Sequence, residues 1–286
     1  MQMKEERKTM AKGNIFLRFP GGKYKALTLS YDDGAPADER LLDIFNAHHM
    51  KATFNLNAKM LGEGLKEAAL VNKRYEGHEI ALHGLNHPLY DSIPHATIAY
   101  ETMHDRELFE KATGRIITGM AYPFGLYNEE VFAAMKAAGV DYSRTCAATH
   151  AFRIPDNFYL WHPTCHHNDE RLSELADTFL EKKFTDDLYD KRPMLFYVWG
   201  HSFEFENNNN WELMENFCDK VSGKDNVWYA TNIEIFHYVE SFRRLRWNLE
   251  ATRVQNPNAE PIWFTCCGKD YCVKPGETLK VDNEGI

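Results

Sequence analysis

Leu27-Thr28-Leu29-Ser30-Tyr31-Asp32-Asp33-Gly34 decides how the chain is read. An apolar, β-favouring run stops at two adjacent carboxylates and a glycine. Strands read as apolar or alternating runs bounded by turn residues. Here the boundary is acidic, so the strand delivers two carboxylates to the mouth of a sheet. In α/β folds that mouth is where ligands bind.

Working outward, Lys25 to Ser30 is expected as the first strand, after a frayed tail over residues 1–14. Pro36 suits the first turn of a helix through Leu41, Leu42, Ile44 and Phe45. Ala52–Leu56 and His78–His83 read as strands, with a helix from Gly64 to Tyr75 between them that Gly77 breaks. A long helical pattern from about Ile93 stops at Gly114. The next strand, Ile116–Ala121, runs into Tyr122-Pro123-Phe124-Gly125. Asn128 caps a helix that ends at Gly139, and Val140–Ser143 is a strand. Phe158–Trp161 reads as a further strand. Met194–Trp199 is a strongly apolar one that delivers Gly200-His201. Strands alternating with helices predict a mainly parallel sheet with crossovers. About seven such repeats suit an irregular (β/α) barrel.

Beyond Ala251 the register changes to short strands with turns at Gly268-Lys269-Asp270 and Pro275-Gly276-Glu277. The expected organisation is a tail over 1–14, a barrel over 15–248 and a small C-terminal β appendage over 249–286 packed on it. The apolar strand Ile262-Trp263-Phe264 is expected to pack on the barrel or on a second subunit, which would make a homo-oligomer.

Composition narrows the partners. The chain has 286 residues, 44% of them hydrophobic, enough for a sizeable core. Its formal charge of -9 speaks against a nucleic-acid surface, which needs a basic patch. Neutral polymers are better substrate candidates than anionic ones. With 14 Tyr and 6 Trp the chain can stack on sugar rings, although most large aromatics serve cores. The charged N-terminus lacks an apolar signal region, and no run is long enough to span a bilayer. Read literally the protein is cytoplasmic; a truncated N-terminus would leave secretion open. Cys266, Cys267 and Cys272 lack C-x-x-C spacing, so packed free thiols are expected there rather than a zinc knot.

Three polar clusters end predicted strands: Asp32-Asp33, His83 with His87, and His201. Alone, the first reads equally as a solvated turn and the second as capping or core histidines. Together they form a mixed nitrogen and oxygen set for a divalent metal with an open position for water. One aspartate can bind the ion; the other is left beside the bound water as a base.

Tyr31-Asp32-Asp33-Gly34 followed by His83-Gly84-Leu85-Asn86-His87 resembles the first two motifs of the polysaccharide deacetylases, the NodB-like carbohydrate esterases of family 4. The resemblance covers about residues 24 to 245. It implies a distorted (β/α) barrel of NodB-homology type. It further implies that Asp33, His83 and His87 hold a divalent metal, most often Zn2+, with Co2+, Ni2+ or Mn2+ as substitutes. Asp32 is then the general base. Ala121-Tyr122-Pro123-Phe124-Gly125 is similar to the third motif, which lines the groove and stabilises the oxyanion through a backbone N–H. His201 matches the late histidine that acts as general acid.

Two departures stand out. The third motif usually carries an arginine that orients the base, and Ala121 stands near that place. Arg144, ending the next strand, is the candidate to replace it. No acidic residue is fixed by sequence as the partner of His201; Asp169 and Glu204 are candidates. Tyr122, Pro123, Phe124, Trp161, His166 and Trp199 are the candidate substrate-binding residues, with His162 and His167 beside them. Each of these aromatics alone is more often core than site.

The expected activity is metal-dependent removal of acetyl groups from an N- or O-acetylated glycan. Water activated by the metal attacks, with Asp32 as base and His201 as acid. Two alternatives stay open: a related metal-dependent amidase acting on a small non-polymeric amide or formylated sugar, and a catalytically inactive carbohydrate-binding protein.

Overall fold

The computed structural model describes residues 14–59, 68–184 and 191–282. Residues 1–13 of the tail expected over 1–14, the start of the helix expected from Gly64, and residues 283–286 of the expected appendage lie outside them. In chain order the strands are β1 (Ile15–Arg18), β2 (Lys25–Asp32), β3 (Ala52–Leu56), β4 (Glu79–Leu82), β5 (Gly119–Ala121), β6 (Tyr142–Arg144), β7 (Cys165–His166) and β8 (Met194–His201). The shorter strands β9 (Val227–Tyr229), β10 (Arg246–Trp247), β11 (Arg253–Gln255), β12 (Ile262–Cys266), β13 (Lys269–Val273) and β14 (Thr278–Lys280) follow. The helices are α1 (Asp38–Ala47), α2 (Ala68–Arg74), α3 (His95–Thr113), α4 (Glu129–Ala137), α5 (Leu172–Glu181), α6 (Phe203–Asn207), α7 (Trp211–Val221) and α8 (Asn232–Arg243).

The main sheet runs β6-β5-β4-β3-β2-β8-β7, with every neighbouring pair parallel. β9 pairs with Lys25–Leu27 of β2, below the stretch Leu29–Asp32 that pairs with β3. The sheet curls until its edges are joined through one segment. Trp161 bridges to Arg144 on β6, and Cys165–His166 pairs with Val198–Trp199 on β8. This is the distorted (β/α) barrel expected from the sequence.

β2 is buried along its whole length, so its two faces serve different neighbours. Leu27, Leu29 and Tyr31 pack outward in a core shared with Leu41 and Phe45 of α1 and with Phe217 of α7. Full burial of each leucine stabilises by roughly 2 kcal/mol. The alternate residues Ala26, Thr28, Ser30 and Asp32 follow the period of two to the opposite face. Ala26 joins a second core with Leu195, Tyr197, Ile235 and Phe264. The polar positions are paired: Thr28 Oγ1 donates to Asn232 Oδ1 at 2.8 Å, and Asn55 Nδ2 donates to Ser30 Oγ at 2.8 Å.

Two findings differ from the sequence reading. A strand precedes Lys25: β1 pairs antiparallel with β12, so the N-terminal strand joins a C-terminal sheet of order β1-β12-β13. A separate sheet, β10-β11-β14, lies beside it in sequence. Secondly, Phe158–Leu160 is a 3-10 turn rather than a strand, with only Trp161 in a bridge. Asn157 caps the turn by accepting from the Tyr159 N–H. Phe158 and Trp161 are drawn into edge-on contact at 4.9 Å.

Glu79, the first residue of β4, is buried beneath the site. It accepts from Thr53 Oγ1 at 2.8 Å, Tyr142 Oη at 2.7 Å and the Ile233 N–H at the start of α8 at 2.8 Å. Burial opposes its charge more than these donors favour it, and its pKa is pushed up to about 7 from 4.5. The stabilisation from holding a proton is complete below 4.5 and is lost as pH rises through 7. Between pH 5 and pH 8 that loss is about 2 to 3 kcal/mol. Glu79→Gln does not titrate. Urea denaturation should show wild type losing stability relative to Glu79→Gln by that amount over this range; parallel pH profiles would contradict it.

Candidate metal centre and active site

Parallel register sets the site. Asp32 at the end of β2 lies level with Asn55 of β3 on one side and His201 of β8 on the other. Asp32 is 2% exposed. Its Oδ1 accepts from Asn55 Nδ2 at 2.8 Å, and its Oδ2 pairs with Arg144 Nη2. Burial opposes ionisation, but the charges of Arg144, His83 and His201 outweigh it and hold the carboxyl below its ordinary value. Arg144 is fully buried, with its guanidinium 4.3 Å from the Trp199 ring centroid.

Asp33 takes a left-handed backbone with φ 75°, held by its N–H donating to Asn55 O at 2.9 Å. That strained turn aims its carboxylate differently from Asp32. Asp33 Oδ1 lies 3.7 Å from His83 Nε2 and 3.8 Å from His87 Nε2, and the two imidazole nitrogens are 3.1 Å apart. His83 Nδ1 is 2.8 Å from Ala121 O, a contact that needs the proton on Nδ1 and leaves the Nε2 lone pair facing the site. Burial holds the His83 imidazole below its ordinary pKa, which favours the neutral, ligating form.

The donor set fits a divalent ion. Asp33 Oδ1 is buried and has no hydrogen-bond partner. Two imidazole nitrogens face it and each other. Ligands about 2.1 Å from a tetrahedral zinc would stand about 3.4 Å apart. The observed separations of 3.1 to 3.8 Å bracket that value. The histidine loop is itself clamped. Asn57 Nδ2 donates to His83 O at 2.6 Å and Gly84 O at 2.8 Å. Two buried acids of α3 complete the clamp: Asp105 accepts from the Ala58 and His83 N–H groups, and Glu101 from the N–H and side chain of Asn86.

His201 Nε2 stands 4.0 Å from Asp32 Oδ2 and 3.9 Å from Asp33 Oδ2. On its other side, His201 Nδ1 and Glu204 Oε1 are 3.3 Å apart. Burial opposes its charge, but the bond to Glu204 and the nearby carboxylates raise its pKa above the ordinary value. Glu204 is the acidic neighbour; Asp169 instead meets His150 Nε2 at 2.6 Å.

Glu204 Oε2 also lies 3.1 Å from His166 Nε2 and 3.0 Å from His167 Nε2. His166, His201 and Glu204 thus make a second constellation of potential metal ligands. The tautomer argues against a cation there. His166 Nδ1 accepts from the Asn168 N–H at 3.1 Å, so in the neutral ring Nε2 carries the proton. The cluster is better described as imidazoles gathered on one carboxylate. His167 is fully buried against Gly200, where a Cβ would lie 1.9 Å from His167 Nδ1, so only glycine fits before His201.

Of the remaining sequence candidates, Phe124 is 59% exposed and its ring packs edge-on to His87 at 4.4 Å. Pro123 is buried beneath it against Gly84. Trp199 and His166 meet edge-on at 4.7 Å beside His201. Tyr122 and Trp161 are not at the groove. Tyr122 is fully buried and donates to Tyr159 O at 3.2 Å. Trp161 is 1% exposed in the second core, against Tyr142, Phe158 and Tyr197. Each is taken up by a core: Tyr122 packs near Phe132 of α4 in the first, and Trp161 lies in the second. Sequence reasoning did not single out Asn55, Asn57, Glu101 or Asp105. The available signal was a polar residue, Asn55, interrupting the apolar strand Ala52–Leu56.

The Asp32–Arg144 pair yields a stability test. Arg144→Met leaves a buried carboxylate without its cation and should cost about 3 to 5 kcal/mol in urea denaturation. Adding Asp32→Asn removes the stranded charge and should recover more than half of that loss. Additive losses in the double variant would show that the two side chains do not depend on each other.

Residues 16–143 match the family model described as polysaccharide deacetylase. That segment contains Asp32, Asp33, His83, His87 and the Tyr122–Phe124 turn, and stops just before Arg144. No curated protein matches the chain in sequence. Among solved structures, a Mycobacterium smegmatis protein assigned as a polysaccharide deacetylase is 16% identical, over 79% of this chain and 94% of its own, with TM-score 0.59. The Xyl-CE4 domain of a multidomain xylanase from the hindgut metagenome of Trinervitermes trinervoides is 15% identical over 76% and 92%, with TM-score 0.51. The family 4 carbohydrate esterase of Streptomyces lividans, in complex with acetate, is 12% identical over 73% and 92%, with TM-score 0.50. At these identities the likeness is one of fold. Motif order, barrel and matched segment agree: over residues 16–143 the chain is similar to the polysaccharide deacetylases, and its fold is that of the family 4 carbohydrate esterases.

Proposed function

We propose that the chain is a metal-dependent hydrolase that removes acetyl groups from N- or O-acetylated carbohydrate. The observation that carries this reading is the unpartnered, buried Asp33 Oδ1 facing two imidazole nitrogens, with Asp32 and His201 beside it. Asp33, His83 and His87 would hold the ion. When bound, a divalent ion acidifies water and polarises the acetyl carbonyl.

The protein's own groups supply the rest. Asp32, kept ionised by Arg144 and oriented by Asn55, accepts the proton of the attacking water. In the Tyr122–Gly125 turn, the Tyr122 and Gly125 N–H groups donate to Arg144 O and Tyr122 O. The Phe124 N–H, on the left-handed residue of this turn (φ 57°) beside His87, is the donor assigned to the developing oxyanion. His201, with Nδ1 turned to Glu204, presents Nε2 to the leaving group and protonates it. An amine leaving group needs that proton far more than an aryl oxide does.

Acetylated glycan or sugar is the partner this reading implies; no helix of the described residues is long and apolar enough to cross a bilayer. Asp32→Asn should abolish turnover of an acetylated sugar with bound metal unchanged; unchanged turnover would remove Asp32 as the base. His201→Ala should lower turnover of an N-acetyl amide by about 100-fold or more, and of p-nitrophenyl acetate by much less. Equal losses on both would show that His201 only shapes the site.

A further inference from the structure

Asp38 is a fully buried carboxylate that none of these steps uses. It opens α1, five residues beyond Asp33. Its Oδ1 accepts from Ser202 Oγ at 2.5 Å and its Oδ2 from Tyr75 Oη at 2.8 Å. Ser202 is fully buried and directly follows His201; Tyr75, 1% exposed, follows α2 and packs on Phe54 of β3 at 4.8 Å. One carboxylate therefore joins the segment leaving β2, the segment leaving β8 and the end of α2. Burial pushes its pKa up to about 6 against the pull of the two hydroxyls. An apolar residue would fill such a place at less cost in desolvation, so stability alone is a poor reason for an acid here.

We propose that Asp38 is a positioning residue: through Ser202 it fixes where β8 ends, and so sets the reach of His201 over Asp32 and Asp33. The strut complements the Glu204 contact. Glu204 orients the ring through Nδ1, while Asp38 holds the backbone that carries it. Without the strut the His201 ring keeps its partner but loses its fixed height above the two aspartates. The consequence for turnover rests on the reading of His201 as the general acid.

The test uses the full chain with metal bound and three variants: Asp38→Ala, Asp38→Asn and Ser202→Ala. Asparagine retains an acceptor for Ser202 and is the conservative rescue. With an N-acetylated chito-oligosaccharide and p-nitrophenyl acetate as probes, Asp38→Ala should lower kcat on the amide by about 100-fold and on the ester by less than about 10-fold. KM should be little changed, and Asp38→Asn should recover most of the loss. Ser202→Ala should follow Asp38→Ala in direction. Equal falls on amide and ester, as from a smaller folded fraction, would overturn the proposal.

A second readout does not need turnover. In nitrogen-15 histidine spectra, Asp38→Ala should move the His201 ring resonances and leave those of His104 and His237 in place. An unmoved His201, or a uniform change in all histidines, would also overturn it. Failure of the deacetylase reading would show separately, as wild type turning over neither probe while the histidine spectra still respond to Asp38→Ala.

Discussion

The parallel register of β2 with β8 is the constraint on which the site depends. It runs unbroken from Lys25 opposite Met194 to Asp32 opposite His201. Because side chains alternate along a strand, a slip of one residue would turn Asp32 out into the helical layer and Tyr31 inward. The apolar set Leu27, Leu29 and Tyr31 prevents that slip by requiring the α1 and α7 side of the sheet. The same register places Asn55 of β3 beside Asp32. Chemistry at the barrel mouth is thus positioned by hydrophobic burial well below it.

The second theme is how three carboxylates and several imidazoles coexist in little space. Each carboxylate has its own compensation. Asp32 has Arg144 and Asn55. Glu204 has the three imidazoles, which outweigh its burial and hold it far below its ordinary pKa. Asp33 alone has a buried oxygen with no partner, and that oxygen is the one aimed between His83 and His87. A buried polar atom without a partner is costly, so natural structures keep few of them. Its place among two lone-pair-bearing rings makes a cation the natural completion.

Much of this was legible in the sequence because ligand-type residues at strand ends interrupt apolar runs. Asp32-Asp33, His83 with His87, and Gly200-His201 all stand where a strand stops, and the structure gathers them. Arg144, put forward because Ala121 stands near the usual arginine position, is brought to Asp32 from the neighbouring strand. Other features were not legible. The burial of Tyr122 and Trp161 is hidden in the sequence because an aromatic at a strand end carries no mark of which way it faces. Ile15–Arg18 was missed because its partner, β12, lies almost 250 residues away, and no local pattern announces a strand at that range. Asp38, Glu101 and Asp105 sit on helices with ordinary acidic composition; only the tertiary structure shows them to be buried.

The central claim is that Asp33, His83 and His87 form one divalent-metal site. Elemental analysis of purified protein dialysed against zinc at neutral pH tests it most directly, run beside Asp33→Ala. The account predicts about one ion per wild-type chain and a loss of that ion in the variant. Wild type without metal, or Asp33→Ala retaining it in full, would contradict the site as described.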